Sequence, residues 1–149
     1  MNRPKFSGAL EDFQVPLKVK LSALWTAVMF CYVYGDYFGI YLPGQLQAML
    51  AGKMEPLGPT TQGVLLGTSL MLAIPAVMVF LSLALKPAMN RWANIVLGTL
   101  YTLIMLVTMA GAWVFYIFFG VVDVVLTALV VWYAWRWPRQ ARMNPSPRH

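Results

Sequence analysis

From Trp92 to Trp135 the chain carries a single charged residue, Asp123. One helix over that stretch would be about twice as long as a hydrocarbon core of ~30 Å requires. It therefore reads as two membrane spans, about 92–110 and 113–135, joined by a tight hairpin around Gly111 to Trp113. The same rule of roughly 20 apolar residues per crossing marks a first span at about 21–42 and a second at about 61–85. Between Gly63 and Leu85 there is no charge at all. The first apolar stretch is too long, and starts too late, for a cleaved signal peptide.

Composition agrees. Of 149 residues, 60% are hydrophobic and 11% charged, against about a quarter charged in soluble domains. So little polar surface does not cover a water-soluble globule of this size. The expected fold class is all-α: an integral membrane four-helix bundle over residues 21–137. A cytoplasmic or interfacial segment, 1–20, precedes it, and a disordered basic tail, 138–149, follows. Phe6, Leu10, Phe13 and Leu17 recur at helical spacing and describe a short surface helix, which Pro16 argues against continuing; a loosely ordered tail is the alternative. Pro43 and Gly44 end the first span. Gln45 to Ala51 then places Leu46, Met49 and Leu50 on one face, predicting a short amphipathic helix in the first outer loop, closed by Gly52. Pro56, Gly58 and Pro59 break the chain again. Pro75, in the middle of the second span, removes a backbone donor and leaves a carbonyl for a neighbour to satisfy.

The net charge of +6 does not point to nucleic acid, because the basic residues sit at the ends of the apolar runs. They are topology signals and contacts for anionic lipid headgroups. Ten of the eleven lie on one side: Arg3, Lys5, Lys18, Lys20, Lys86, Arg91, Arg136, Arg139, Arg142 and Arg148. Only Lys53 lies on the other. The positive-inside rule puts both termini in the cytoplasm. Trp92, Trp132, Trp135 and Trp137 fall at the inner interface and Trp113 at the outer. Cys31 is the single cysteine and His149 the single histidine, so ligand sets for haem, zinc or iron–sulfur centres are missing and no cofactor is expected. No nucleophile–base constellation is present either, and the chain is not expected to be an enzyme.

Each span carries a small or polar stripe. Ala23, Ala27, Cys31, Gly35 and Gly39 form a ladder on the first, and Gly63 and Gly67 mark the second. Asn90, Asn94, Gly98 and Thr102 line the third; Tyr116, Gly120, Asp123 and Thr127 line the fourth. Such faces allow helices to pack in lipid. Asp123 lies near the middle of its span, where an aspartate costs about 2.5–3.5 kcal/mol. No span has a basic residue away from its ends. The carboxyl must therefore be neutral, hydrogen-bonded, hydrated or paired with a bound cation. Asp36 sits near the outer end of the first span among Tyr32, Tyr34, Tyr37 and Tyr41, whose phenols are potential donors. A proton, cation or ligand site built from Asp36, Asp123, Tyr32, Tyr37, Asn94, Thr102 and Thr127 is the expectation, with both acids in one cavity. A structural hydrogen bond to a neighbouring helix is the competing role for Asp123, and an interfacial residue reaching headgroup water is the competing role for Asp36.

On Leu10-Glu11-Asp12-Phe13, Lys18-Val19-Lys20-Leu21 and Tyr34-Gly35-Asp36-Tyr37-Phe38-Gly39, the chain resembles a family of small bacterial four-span membrane proteins known as a domain of unknown function. The likeness covers about residues 9 to 137. It implies a bacterial plasma-membrane setting, with the chain as a multi-pass protein of the inner membrane, and no activity. Small multidrug-resistance transporters carry their membrane acid in the first span, but the surrounding pattern differs here. DoxX-like proteins share only the span number. Two functions remain in view: a small proton- or cation-linked transporter or channel-like protein, and an accessory or assembly protein packed against a larger membrane complex. Self-association is expected to be compatible with either.

Overall fold

The computed structural model describes residues 13–138. The surface helix expected through Phe6 and Leu10, the basic residues Arg3, Lys5, Arg139, Arg142 and Arg148, and the tail beyond Pro138 lie outside the described residues. The elements are α1 (Leu17–Gly39), α2 (Gln45–Leu50), β1 (Lys53–Met54), β2 (Gly58–Pro59), α3 (Gln62–Ala84), α4 (Pro87–Thr108) and α5 (Val114–Trp135). α1, α3, α4 and α5 are each long and apolar enough to cross a membrane. The fold is thus an all-α four-helix bundle of membrane-spanning type.

Helix ends follow local chemistry and refine the expected spans. α1 starts directly after Pro16, whose carbonyl accepts from the Val19 and Lys20 amides, so Lys18 and Lys20 lie inside the helix rather than before it. It stops at Gly39, three residues short of the expected end. Thr61 caps α3, accepting from the Val64 amide through Oγ1 at 3.2 Å. Pro87 occupies the first turn of α4, where its missing N–H is harmless. That start is five residues earlier than the expected one, and it draws Asn90 and Arg91 into the helix. Gly111, at φ +76°, turns the chain between α4 and α5. In the loop between α1 and α3, α2 forms where its apolar spacing predicts it. The Lys53–Met54 and Gly58–Pro59 pairs close a minimal antiparallel ladder that the proline and glycine breaks did not reveal.

α1 packs between α3 and α5, and α5 also packs along α4, while α3 and α4 approach each other far less closely. The small-residue stripes explain only one of these seams. Across α4 and α5 a Cβ on Gly98 would lie 2.8 Å from Val131 Cγ2, and one on Gly120 would lie 2.6 Å from Met109 Sδ. The backbones meet there because glycine permits it. The ladders on α1 and α3 behave differently. Nothing lies within 4 Å of a Cβ built on Gly35, Gly39 or Gly67. α1 buries Leu21, Ser22, Trp25 and Val28, and of its ladder glycines Gly35 alone is buried. Leu21, Trp25 and Val28, with Met78, Tyr101 and Val130, form the core.

α3 has no charge, yet its backbone receives a set of hydrogen bonds from its neighbours. The last four carbonyls of a helix have no partner within it. Here Lys18 Nζ of α1 donates to Leu83 O at 3.0 Å and to Leu85 O just beyond at 2.7 Å, and Asn90 Nδ2 of α4 donates to Ser82 O. A lysine at that end also complements the helix dipole. Further along, Ser22 Oγ donates to Val79 O at 2.8 Å. Near the middle of α3, Pro75 deprives Met71 O of its helical donor, and the Tyr101 hydroxyl of α4 bonds that carbonyl. The freed carbonyl is satisfied by a side chain from the next helix, as hydrocarbon depth demands.

This pairing predicts a thermodynamic coupling. Tyr101→Phe should destabilise the protein by about 1 kcal/mol in equilibrium unfolding in bicelles. In a Pro75→Ala background, where an amide can again serve Met71 O, the same change should cost about half as much or less. Equal costs in both backgrounds would show that Tyr101 is not covering for the proline.

Candidate functional site

Asp123 is carried on α5 between Gly120 and Thr127, and all three are buried. The side chain of Asp123 is wholly enclosed, at 0% exposure. Its Oδ2 accepts a long hydrogen bond, 3.5 Å, from the Tyr32 hydroxyl of α1. Its Oδ1 is buried with no hydrogen-bond partner. No basic side chain pairs with it among the described residues. A fully enclosed carboxyl with one weak donor and one free oxygen is costly as an anion. It has the capacity to hold a proton, or to accept a further donor on the free oxygen.

One turn along α5, Thr127 Oγ1 donates to the Asp123 backbone carbonyl at 2.9 Å and receives Thr102 Oγ1 of α4 at 2.7 Å. The threonine pair therefore ties α4 to the turn that carries Asp123, and it reaches the peptide oxygen rather than the carboxyl. Tyr32 is positioned by ring packing. Its ring lies 6.4 Å from that of Tyr101, which meets Trp25 edge-on at 6.1 Å. Tyr101 thus links the Pro75 repair on α3 to the phenol that touches Asp123.

Asn94 belongs to a different network. Trp25 Nε1 donates to Asn94 Oδ1 at 2.7 Å. Asn94 Nδ2 donates to Asn90 Oδ1 at 2.6 Å, and Asn90 Nδ2 passes the chain to Ser82 O. Trp25, Asn94, Asn90 and Ser82 are all 0% exposed. This one-directional relay joins α1, α4 and α3 and fixes which way each amide points.

Of the expected site residues, the structure gathers Asp123, Tyr32, Thr127 and Thr102. Asp36 stands apart: it is one turn further out on α1 than Tyr32, its side chain is exposed, and no hydrogen bond to it is present among the described residues. The two acids occupy contrasting surroundings, one open and one enclosed. Tyr37 pairs with Tyr41, hydroxyl to hydroxyl at 3.0 Å, rather than with a carboxylate. Sequence reasoning passed over Trp25 and Tyr101. Trp25 sits in the first third of its span, deeper than an interfacial tryptophan, which was the available signal. Tyr101 lies on the same α4 face as Asn94 and Gly98, at spacings of seven and three.

A family model described as "Family of unknown function (DUF6326)" matches residues 11–144. No curated protein and no solved structure matches the chain.

The two polar networks differ in what their loss costs. Asn94→Leu strands the Trp25 indole N–H and Asn90 Oδ1 together and should destabilise the protein by about 2 kcal/mol or more. Thr102→Val leaves Thr127 its own carbonyl acceptor and should cost about 0.6 kcal/mol. Equilibrium unfolding of both variants in bicelles measures the order, and a reversed order would refute the relay.

Proposed function

The chain belongs to that family of unknown function, and we propose that it is a small proton-linked transporter or channel-like protein whose working group is Asp123. The observation that supports this most is the enclosed carboxyl with one oxygen unpartnered and the other held loosely by Tyr32. Intramembrane acids of this kind mark proton relays and ion paths more often than packing. The surroundings favour a proton over a metal cation. Hard cations take about six or more oxygen ligands, whereas the Tyr32 phenol is the one side-chain group hydrogen-bonded to the carboxyl among the described residues. Among the described residues no group of three or more acids, cysteines or histidines gathers in one place.

The chemistry is modest and non-enzymatic. A proton on Asp123 is gained or lost without an ion-pair partner having to move. Among the described residues Tyr32 is the one side chain hydrogen-bonded to the carboxyl, so it orients the carboxyl and is the first candidate to carry a proton to or from it. The proposal extends to orientation. With Lys18, Lys20, Lys86, Arg91 and Arg136 at one end and, among the described residues, only Lys53 at the other, the bundle sits in the inner (plasma) membrane of a bacterial cell with both termini cytoplasmic. Aromatic rings at that end hold the cations: Arg91 over Trp135 at 5.9 Å and Arg136 over Trp132 at 4.7 Å.

A second reading has its own support. The open surroundings of Gly39 and Gly67 leave room for a further helix. An accessory or assembly protein, or a homo-oligomer, would use that room.

Proteoliposomes loaded with a pH-sensitive dye and placed under a potassium diffusion potential test the first reading. Wild-type protein should carry protons well above empty liposomes, Asp123→Asn should fall to that background, and Thr102→Val should keep most of the flux. A wild type no faster than Asp123→Asn or than empty liposomes overturns it.

A further inference from the structure

At the basic end of the bundle, α1 and α5 part to leave a notch of about 230 Å³ bordered by Lys20, Trp132, Tyr133 and Arg136. A second hollow, about 310 Å³, adjoins it along the same seam; it shares Lys20 and Tyr133 and is otherwise lined by Ala23, Leu24 and Leu129. Leu24 and Leu129 lie about one helical turn deeper than Lys20 and Tyr133 on their respective helices. The feature therefore carries two cations at its mouth, where Val15, Leu17 and Pro138 also line it, and is apolar towards the membrane centre.

The cations at the mouth are held but not neutralised. Lys20 Nζ lies 5.7 Å from the centre of the Tyr133 ring, and Arg136 Cζ lies 4.7 Å from that of Trp132. Cation–π contacts of this kind orient a charge without cancelling it. The acids among the described residues are elsewhere: Asp36 near the far end of α1, Glu55 in the outer loop, and Asp123 enclosed in the core. Lys18, two residues before Lys20, behaves differently, since its ammonium is taken up by the α3 carbonyls. Among the described residues, Lys20 and Arg136 thus present two positive charges with no acid beside them, on either side of one notch.

We propose that this groove binds one anionic glycerophospholipid, its phosphate between Lys20 and Arg136 and one acyl chain laid against Leu24 and Leu129. Charge complementarity selects the headgroup. The apolar continuation selects a lipid over a soluble phosphate. A single site between two helices goes beyond the diffuse attraction of a basic face for a negative leaflet, and it does not depend on the role of Asp123.

Native mass spectrometry of the full chain, released from micelles holding equimolar palmitoyl-oleoyl phosphatidylglycerol and phosphatidylcholine, tests the site. The wild type should retain one phosphatidylglycerol in preference to phosphatidylcholine by about tenfold. Lys20→Gln with Arg136→Gln should abolish that preference, and Lys20→Arg with Arg136→Lys should keep it. Leu24→Trp, which fills the apolar groove, should lower retention of both lipids. Lys86→Gln removes a charge at the same end but outside the groove and should change nothing. Equal retention of the two lipids by the wild type overturns the proposal. So does a Lys86→Gln effect as large as that of the groove variants, or displacement of the lipid by excess glycerol 1-phosphate.

Discussion

Inside a bilayer a carbonyl or an amide has no water to turn to, so each polar group must find its partner among the helices. That constraint organises this protein. α3 has no charged side chain and looks like plain hydrocarbon, yet it is the acceptor for Lys18, Ser22, Asn90 and Tyr101 from two neighbouring helices. Each donor goes to its backbone rather than to a side chain. Hydrophobic burial does not drive helices together in lipid. Hydrogen bonds of this kind, with the close α4–α5 contact at Gly98, therefore account for much of what sets the arrangement.

Against that background Asp123 stands out. The Trp25–Asn94–Asn90 relay links each of its donors to an acceptor, and the Thr102–Thr127 pair terminates on a backbone carbonyl. The molecule satisfies nearly all its buried polar atoms, the exceptions among the described residues being Ser82 Oγ, Arg91 Nε and Asp123 Oδ1. Of the three, Asp123 is the one acid. A fold that supplies partners to most of its other buried polar atoms leaves this carboxyl half served, which is the observation behind the proposed proton site.

The span count, the all-α architecture, the short helix after the first span and the Gly111 hairpin were all readable from the order of apolar, charged and breaking residues. The requirement that something satisfy the carbonyl freed by Pro75 was readable too, though not that Tyr101 would do it. Helix starts were less readable. Lys18, Lys20, Asn90 and Arg91 look like loop residues by polarity, but each lies inside a helix because its polar group reaches a carbonyl, an aromatic ring or the headgroup region. The α1 ladder from Ala23 to Gly39 misled for a related reason. Small residues permit close approach but do not enforce it, and the bulk of Trp25 and Val28 determines where α1 touches its neighbours. The expectation that Asp36 and Asp123 share one cavity rested on depth alone, and the interfacial alternative for Asp36 is the one its exposure fits. Depth says nothing about which way a side chain points around its helix, and one turn beyond Tyr32 the side chain of Asp36 is exposed.

The most direct measurement is infrared spectroscopy of the full chain in lipid across a pH series, in light and heavy water. A carboxyl C=O band should follow pH, shift on solvent exchange, disappear in Asp123→Asn and move in Tyr32→Phe. A band indifferent to pH and to exchange, or one that survives in Asp123→Asn, would show that this carboxyl is a fixed part of the packing and carries no exchangeable proton.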